Sequence, residues 1–316
     1  MFNVLVTGAN GQLGSEIKHL MDNSFFKMDP LVKPEDDKVC YSSEGGNPAM
    51  HHNYHFHFAT RNDLDLSNLC KMEDFFEGKK FDVIINCVAY TAVDRAEDEV
   101  ELADTINHKA VEVLASIAKT NHIKLIHIST DYVFDGTNYK PYIEDDITNP
   151  QSVYGKTKLD GENAMLAVNP PNSIIIRTSW VYSSFGSNFV KTMLRLGKEK
   201  ANLGVIFDQV GTPTYAKDLA KTILDIIPQI QNEKVEIYNY SNEGVISWYD
   251  FAKEIMKMAK LNCQINPIET KEYPTPAKRP HYSVLNKAKI KNTFNVEIPY
   301  WKDGLDDCLK RLGERK

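Results

Sequence analysis

Cysteine is scarce in this chain, and what there is does not pair off. The five cysteines (Cys40, Cys70, Cys87, Cys263 and Cys308) are odd in number, far apart and free of any C-x-x-C pair. They read as reduced thiols in a cytosolic protein. An excess of positive charge is also missing. A net charge of −6 and a pI near 5.9 argue against a nucleic-acid or membrane-surface partner, because displacing counterions from phosphates needs a basic patch. Long apolar runs are absent too: Val83-Ile84-Ile85 and Ile174-Ile175-Ile176 are far too short to cross a bilayer. From Met1 the chain enters a strand-like segment with no basic region or small-residue cleavage site, so no secretion signal is expected and the expected location is cytoplasmic. No internal repeat is found.

What remains is a chain of 316 residues, 42% hydrophobic, long enough to bury a large core as two lobes or one large α/β domain. Phe2 to Val6 is a β-branched apolar run. It stops at Thr7-Gly8-Ala9-Asn10-Gly11-Gln12-Leu13-Gly14, after which Ile17 and Leu20-Met21 mark the inner face of a helix. Gly8, Gly11 and Gly14 have G-x-x-G-x-x-G spacing, one residue longer in the first gap than the usual dinucleotide fingerprint. Glycines let the backbone approach a pyrophosphate, and the helix N-terminus offers unpaired N–H groups and partial positive charge. From Lys27 to about Tyr54 the pattern dissolves into prolines, glycines and charges, the mark of an inserted surface loop, and the insertion is bounded at 27–58. His51, His52, His55 and His57 invite a metal reading. However, His55 and His57 alternate with Phe56 and Phe58 as in a strand, and no Cys or carboxylate stands at ligand spacing, so no metal is assigned. The strand ends at Thr60-Arg61, where a dinucleotide fold meets the adenosine ribose. Arg61 in place of an acid favours the 2′-phosphate of NADPH and leaves NADH open.

Phe81 to Asn86 is a buried strand running into Cys87-Val88-Ala89-Tyr90-Thr91, whose C-terminal end is expected to line the cofactor cleft. Asp94 to Asn121 supplies a crossover helix, and Lys124 to Tyr132 a strand that finishes in the hydroxyls of Ser129 and Thr130. Tyr154-Gly155-Lys156-Thr157-Lys158 follows. On a helix, Tyr154 and Lys158 lie one turn apart on one face, and an ammonium beside the phenol is expected to lower the cost of giving up its proton. The pattern alone is weak. With 15 tyrosines it recurs at Tyr249/Lys253, where Trp248 to Ile255 reads as an amphipathic surface helix.

The order of nucleotide turn, parallel strands, Ser-Thr strand end and Tyr-x-x-x-Lys resembles the extended short-chain dehydrogenase/reductases. Thr7 to Gly14, Val88 to Glu97, Ser129 to Gly136 and Tyr154 to Leu159 look like the dTDP-4-dehydrorhamnose reductases. So do Arg177 to Tyr182, Asn188 to Lys191, Gly211 to Thr214, Ser241 to Gly244 and Arg279 to Ser283. The likeness spans nearly the whole chain except roughly Lys27 to Phe58, and departs at Arg61, where an acidic residue is the family's pattern.

The expected fold is α/β: a doubly wound parallel Rossmann sheet over 1–178, then a smaller C-terminal substrate-binding lobe over 179–316, with 216–227 returning to the sheet. The resemblance implies reduction of the C4 keto group of dTDP-4-dehydro-L-rhamnose by NADPH, or NADH, to dTDP-L-rhamnose. Thr130 would hydrogen-bond the reacting oxygen, Tyr154 would protonate it, and Lys158 would steady the phenol and bind the nicotinamide ribose. Gly8, Gly11, Gln12, Leu13 and Gly14 would form the pyrophosphate turn. Asp65 and Leu66 would meet the adenine, and Val88, Ala89 and Tyr90 the cofactor's far side. Thr130, Asp131 and Trp180 would face the sugar.

Plainer readings stand beside these: Asp65 as a helix N-terminal acid, Trp180 as a core indole, and Arg195 and Arg279 as solvent-exposed arginines rather than diphosphate partners. Some reductases of this type hold magnesium between subunits. Glu16 resembles one ligand, but a surface acid of the first helix is the stronger reading, so magnesium is not assigned; a homodimer is compatible. Thr130-Asp131-Tyr132 lacks the second carboxylate with which dehydratases eliminate water. Epimerases share the Tyr/Lys pair, and a regulatory subunit that binds NADP without turnover is the reading from another class.

Overall fold

The computed structural model describes residues 2–24 and 54–315. Most of the expected insertion, with His51 and His52, lies outside the described residues; its last residues, from Tyr54, already belong to a strand. In chain order the first half holds β1 (Phe2–Thr7), α1 (Gln12–Ser24), β2 (Tyr54–Ala59), α2 (Cys70–Phe76), β3 (Val83–Asn86), α3 (Val93–Ala96), α4 (Val100–Asp104), α5 (Ala110–Thr120), β4 (Lys124–Thr130), α6 (Val153–Val168) and β5 (Ile174–Thr178). The second half holds β6 (Val181–Tyr182), α7 (Phe189–Glu199), β7 (Asn202–Ile206), β8 (Val210–Gly211), β9 (Thr214–Tyr215), α8 (Ala216–Ile226), β10 (Glu236–Tyr240), β11 (Ile246–Ser247), α9 (Trp248–Met258), β12 (Gln264–Ile268), α10 (Ala288–Phe294) and α11 (Trp301–Arg311).

Six of these strands make one sheet in the order β10-β5-β4-β3-β1-β2, every pair parallel. The strands are apolar on both faces because helices cover both. Val4, Val6 and Ile85 point to one side with Ile17 of α1 and Leu219 and Ile223 of α8. Leu5, Ile84 and Leu125 point to the other with Leu114 of α5 and Met165 of α6. Alternation of side chains along each strand therefore feeds two separate cores.

The return to the sheet is larger than 216–227. Besides α8, β10 pairs with β5 and α10 packs on β10, with Ile290 and Phe294 in the same core as Val4. The physical reason lies in β5, whose five residues are all buried and would otherwise present a bare apolar edge. The remaining lobe has its own core of Tyr182, Phe251, Ile255, Trp301 and Leu305. Here Tyr249/Lys253 sits on α9, whose buried side is Phe251, Ala252, Ile255 and Met256, and Lys253 is exposed.

The helix that carries Tyr154 is seated by an unusual turn. Thr105–Lys109 forms one π-helical turn between α4 and α5. There the Asn107 side chain accepts from the Tyr90 N–H at 2.8 Å and donates to Thr157 Oγ1 of α6 at 3.1 Å. α6 approaches so closely at Gly161 that a Cβ would stand 2.1 Å from the Asn107 carbonyl oxygen.

Candidate active site

The C-terminal ends of β1, β3, β4 and β5 open onto a cleft of about 710 Å³, closed on its far side by the second lobe. Open parallel sheets bind ligands at this position. The turn after β1 forms one wall, with Gly11, Gln12 and Leu13 lining the cleft. Gly8 and Gly14 lie beneath: a Cβ on Gly14 would meet the Gly8 carbonyl oxygen at 2.4 Å, so α1 begins tight against the turn and aims its N-terminus outward. This cradle fits a dinucleotide pyrophosphate.

Thr130 is the last residue of β4. Its Oγ1 accepts from the Tyr132 N–H at 3.2 Å and donates to Asp131 Oδ1 at 3.0 Å. α6 is capped by Ser152, whose hydroxyl accepts from the Gly155 N–H at 3.2 Å, and this cap puts Tyr154 and Lys158 in the first turns facing β4. The Tyr154 phenol faces the same cleft as the Thr130 hydroxyl, and its ring meets Tyr132 edge-on at 5.3 Å.

The electrostatics differ from the sequence expectation. Burial pushes the Tyr154 phenol up to about 12, with the Thr130 hydroxyl working against the rise and the Asp131 charge adding to it. Lys158 does not offset this: its Nζ donates to the Ile128 carbonyl at 2.7 Å and lies 3.1 Å from His127 Nε2. Desolvation of a phenolate outweighs a lysine bonded elsewhere. Burial also lowers Lys158 to about 8, opposed by the charge of Glu162. Asp131, 2% exposed, is raised by burial to about 7, and its Oδ2 has no hydrogen-bond partner.

Of the residues named from the sequence, the cleft brings together Gly11, Gln12, Leu13, Ala89, Thr130, Asp131, Tyr154, Lys158 and Trp180. Others stand off. Leu66 is 2% exposed in the sheet core, so its side chain offers nothing to an adenine. Asp65 accepts from the Ser67 N–H and hydroxyl at 2.9 and 2.7 Å, and from Arg61 Nε at 3.3 Å. Arg61 is otherwise exposed at the end of β2. The Tyr90 hydroxyl donates to Glu99 at 2.6 Å, and Val88 lies behind the glycine turn, where a Cβ on Gly8 would come within 3.1 Å of its Cγ2.

Trp180 does not present an open face. Its backbone is in the left-handed region (φ 48°), and its indole stacks on Trp248 at 3.6 Å and 12°. A Cβ on Gly211 would come within 2.8 Å of the same indole. Arg195 is a surface residue paired with Glu199, whereas Arg279 lines the cleft, held by Asp94 at 2.7 and 3.0 Å. Glu16 is no surface acid. It is fully buried, accepting from Ser183 Oγ at 2.6 Å and from Arg311 at 2.9 and 2.7 Å. A carboxylate already neutralised by an internal guanidinium does not fit a magnesium ligand. Among the described residues, one His-carboxylate group, Asp104, His108 and Asp160, has its donor atoms within 4.8 Å of one another; Asp104 is already paired with His108 and Lys109.

Sequence reasoning missed Trp248, which it placed on a surface helix, and Asn86 and His127 beneath Lys158. A histidine inside Leu125-Ile126-His127-Ile128 was the available signal, because a polar group in an apolar strand needs a partner.

The sheet order, the glycine turn and the threonine, tyrosine and lysine gathered at the strand ends define a Rossmann-type extended short-chain dehydrogenase/reductase. Residues 2–314 match the family described as the RmlD substrate binding domain. A dTDP-4-dehydrorhamnose reductase of Aggregatibacter actinomycetemcomitans is 38% identical over 96% of this chain and 97% of its own length. The crystal structure of a reductase of that name from Clostridium acetobutylicum has a TM-score of 0.85 at 39% identity, covering 99% of this chain and 100% of the other. One from Bacillus anthracis, solved in complex with NADP, has a TM-score of 0.83 at 33% identity, covering 98% and 100%. The chain belongs to the RmlD family, that of the dTDP-4-dehydrorhamnose reductases.

Proposed function

We propose that this chain reduces the C4 keto group of dTDP-4-dehydro-L-rhamnose with NADPH, giving dTDP-L-rhamnose, and that Tyr154 is the proton donor. The observation that carries the reading is that Tyr154, Thr130 and Lys158 line one cleft with the glycine turn. Family membership supplies the substrate class.

When bound, the reduced nicotinamide supplies a hydride. The chain's own part is to manage the oxygen that becomes negative. Thr130 Oγ1 holds that oxygen by turning its hydrogen away from Asp131 Oδ1, and Tyr154 gives it a proton as charge develops, which avoids an alkoxide in a dry site. A phenol raised to about 12 is fully protonated at neutral pH, the form a donor needs. Lys158, 1% exposed, is anchored through Ile128 with an N–H left for the cofactor's ribose. Asp131, with the Ser283 hydroxyl beside it, offers an acceptor suited to a sugar hydroxyl, and Arg279, oriented by Asp94, a guanidinium suited to a diphosphate. Gly11, Gln12 and Leu13 would hold the pyrophosphate, and Arg61, exposed at the ribose end of β2, the 2′-phosphate.

No described helix is long and apolar enough to cross a membrane. Free thiols at Cys70, Cys87, Cys263 and Cys308 support a cytoplasmic setting. The test follows NADPH absorbance with the purified protein and dTDP-4-dehydro-L-rhamnose, with the product identified by NMR. Stoichiometric loss of NADPH with formation of dTDP-L-rhamnose is expected. NADPH binding without turnover would overturn the reading in favour of a nucleotide-binding partner subunit.

A further inference from the structure

A buried polar row runs under Lys158, across three neighbouring strands. Thr7 at the end of β1 pairs in register with Asn86 of β3, and Asn86 with His127 of β4. All three are 0% exposed. Thr7 Oγ1 donates to Asn86 Oδ1 at 2.7 Å, and the Val88 N–H donates to the same atom at 3.3 Å. A backbone N–H can only donate, so that atom is the amide oxygen. The amide nitrogen therefore faces His127 Nδ1, 3.0 Å away.

The protons in this row can be assigned. Asn86 Nδ2 donates, so His127 Nδ1 accepts, and the neutral ring carries its hydrogen on Nε2. Burial, with the charge of Lys158 adding to it, holds this imidazole well below its ordinary value, so the neutral ring is the form present. Nε2–H lies 3.1 Å from Lys158 Nζ. An N–H can be received there only by a lone pair, which the amine has and the ammonium lacks. An ammonium would require the ring hydrogen to move to Nδ1, against the Asn86 amide nitrogen. The other bond of Lys158, to the Ile128 carbonyl, suits both forms.

We propose that His127, oriented by Asn86, is a positioning residue that weights Lys158 toward its neutral amine and so sets the pH above which the cleft loses its cationic lysine. The proposal rests on the reading of Lys158 given above. Other charges bear on the lysine from its own helix and from across the cleft. Glu162 favours the ammonium, but its carboxylate is already engaged by Arg177 at 2.7 to 3.2 Å. Tyr154 and Asp131 line the cleft with Lys158. Burial, opposed by the charge of Glu162, lowers Lys158 to about 8, and the Nε2–H acts in the same direction as burial.

Two variants change the row from different ends. His127→Gln can turn a carbonyl oxygen toward Nζ, and Asn86→Asp offers Nδ1–H an acceptor, freeing Nε2 to accept from the ammonium. Both are expected to move the upper limb of the kcat/KM pH profile up by about one unit, a tenfold rise in the proton affinity of Lys158. In the ligand-free protein, ¹⁵N shifts of the His127 ring are expected to show Nε2–H in the parent and Nδ1–H in Asn86→Asp. An upper limb unmoved in both variants, or Nδ1–H in the parent, overturns the proposal. Tyr154→Phe run alongside separates the two readings. If it retains turnover, the site assignment falls; if it is inactive while the limb stays fixed, only the role of His127 falls.

Discussion

Tyr154/Lys158 and Tyr249/Lys253 are the same sequence pattern on two helices, and the fold treats them oppositely. On α6, Lys158 is 1% exposed beneath the strand ends, and Tyr154 shares the cleft with the hydroxyl of Thr130. On α9, Lys253 is exposed and its Nζ hovers 5.8 Å over the ring of its own Tyr249. Helical spacing brings a phenol and an amine together in both places. Only the first pair has a strand end to point at and a desolvated cleft to change its proton chemistry. The motif is therefore a statement about a helix face, and the sheet edge opposite turns it into a site.

That contrast can be broken at several points. The largest effect is expected from Tyr154→Phe, which should cut turnover with the keto sugar by roughly 10²- to 10⁴-fold while NADPH binding, followed by fluorescence, stays intact. Near-normal turnover would put the two tyrosines on the same footing. Next is the seating of α6. Gly161→Ala places a Cβ against the Asn107 carbonyl, and urea unfolding should show a loss of about 1–3 kcal/mol. An unchanged midpoint would mean that the helix is not locked to the π-helical turn.

Arg61→Asp should raise KM for NADPH by about tenfold, the scale of one charge-assisted hydrogen bond, with little change for NADH. Equal effects on both cofactors would remove Arg61 from the phosphate site. At the bottom of the scale, the double variant Tyr249→Phe, Lys253→Ala should leave kcat/KM unchanged and shift stability by about 0.5 kcal/mol or less. A large loss of activity there would erase the distinction between the helices.

Much of the fold was legible because its signals are local. The β-branched run before Gly8, the Ser-Thr end of β4 and the 3.6-residue pattern of α5 each follow from neighbours in sequence. What escaped depends on distant partners. Trp248 reads as the first residue of an amphipathic helix, and nothing beside it announces that Trp180 stacks on it from 68 positions earlier. Glu16 reads as surface because its partner, Arg311, comes from the far end of the chain. Lys158 was expected to serve the phenol, but the carbonyl of Ile128 and the ring of His127, both on β4, claim its bonds first.

Because β10 arrives from beyond residue 235 to cover β5, the nucleotide-binding half is not a separable piece of the gene product. A fragment stopped at residue 178 would end on Ile174-Ile175-Ile176-Arg177-Thr178 with the main-chain donors and acceptors of one edge unmet, a ready template for fibrous association. On the ribosome, too, the sheet stays unfinished until Glu236–Tyr240 has emerged, well after its other five strands.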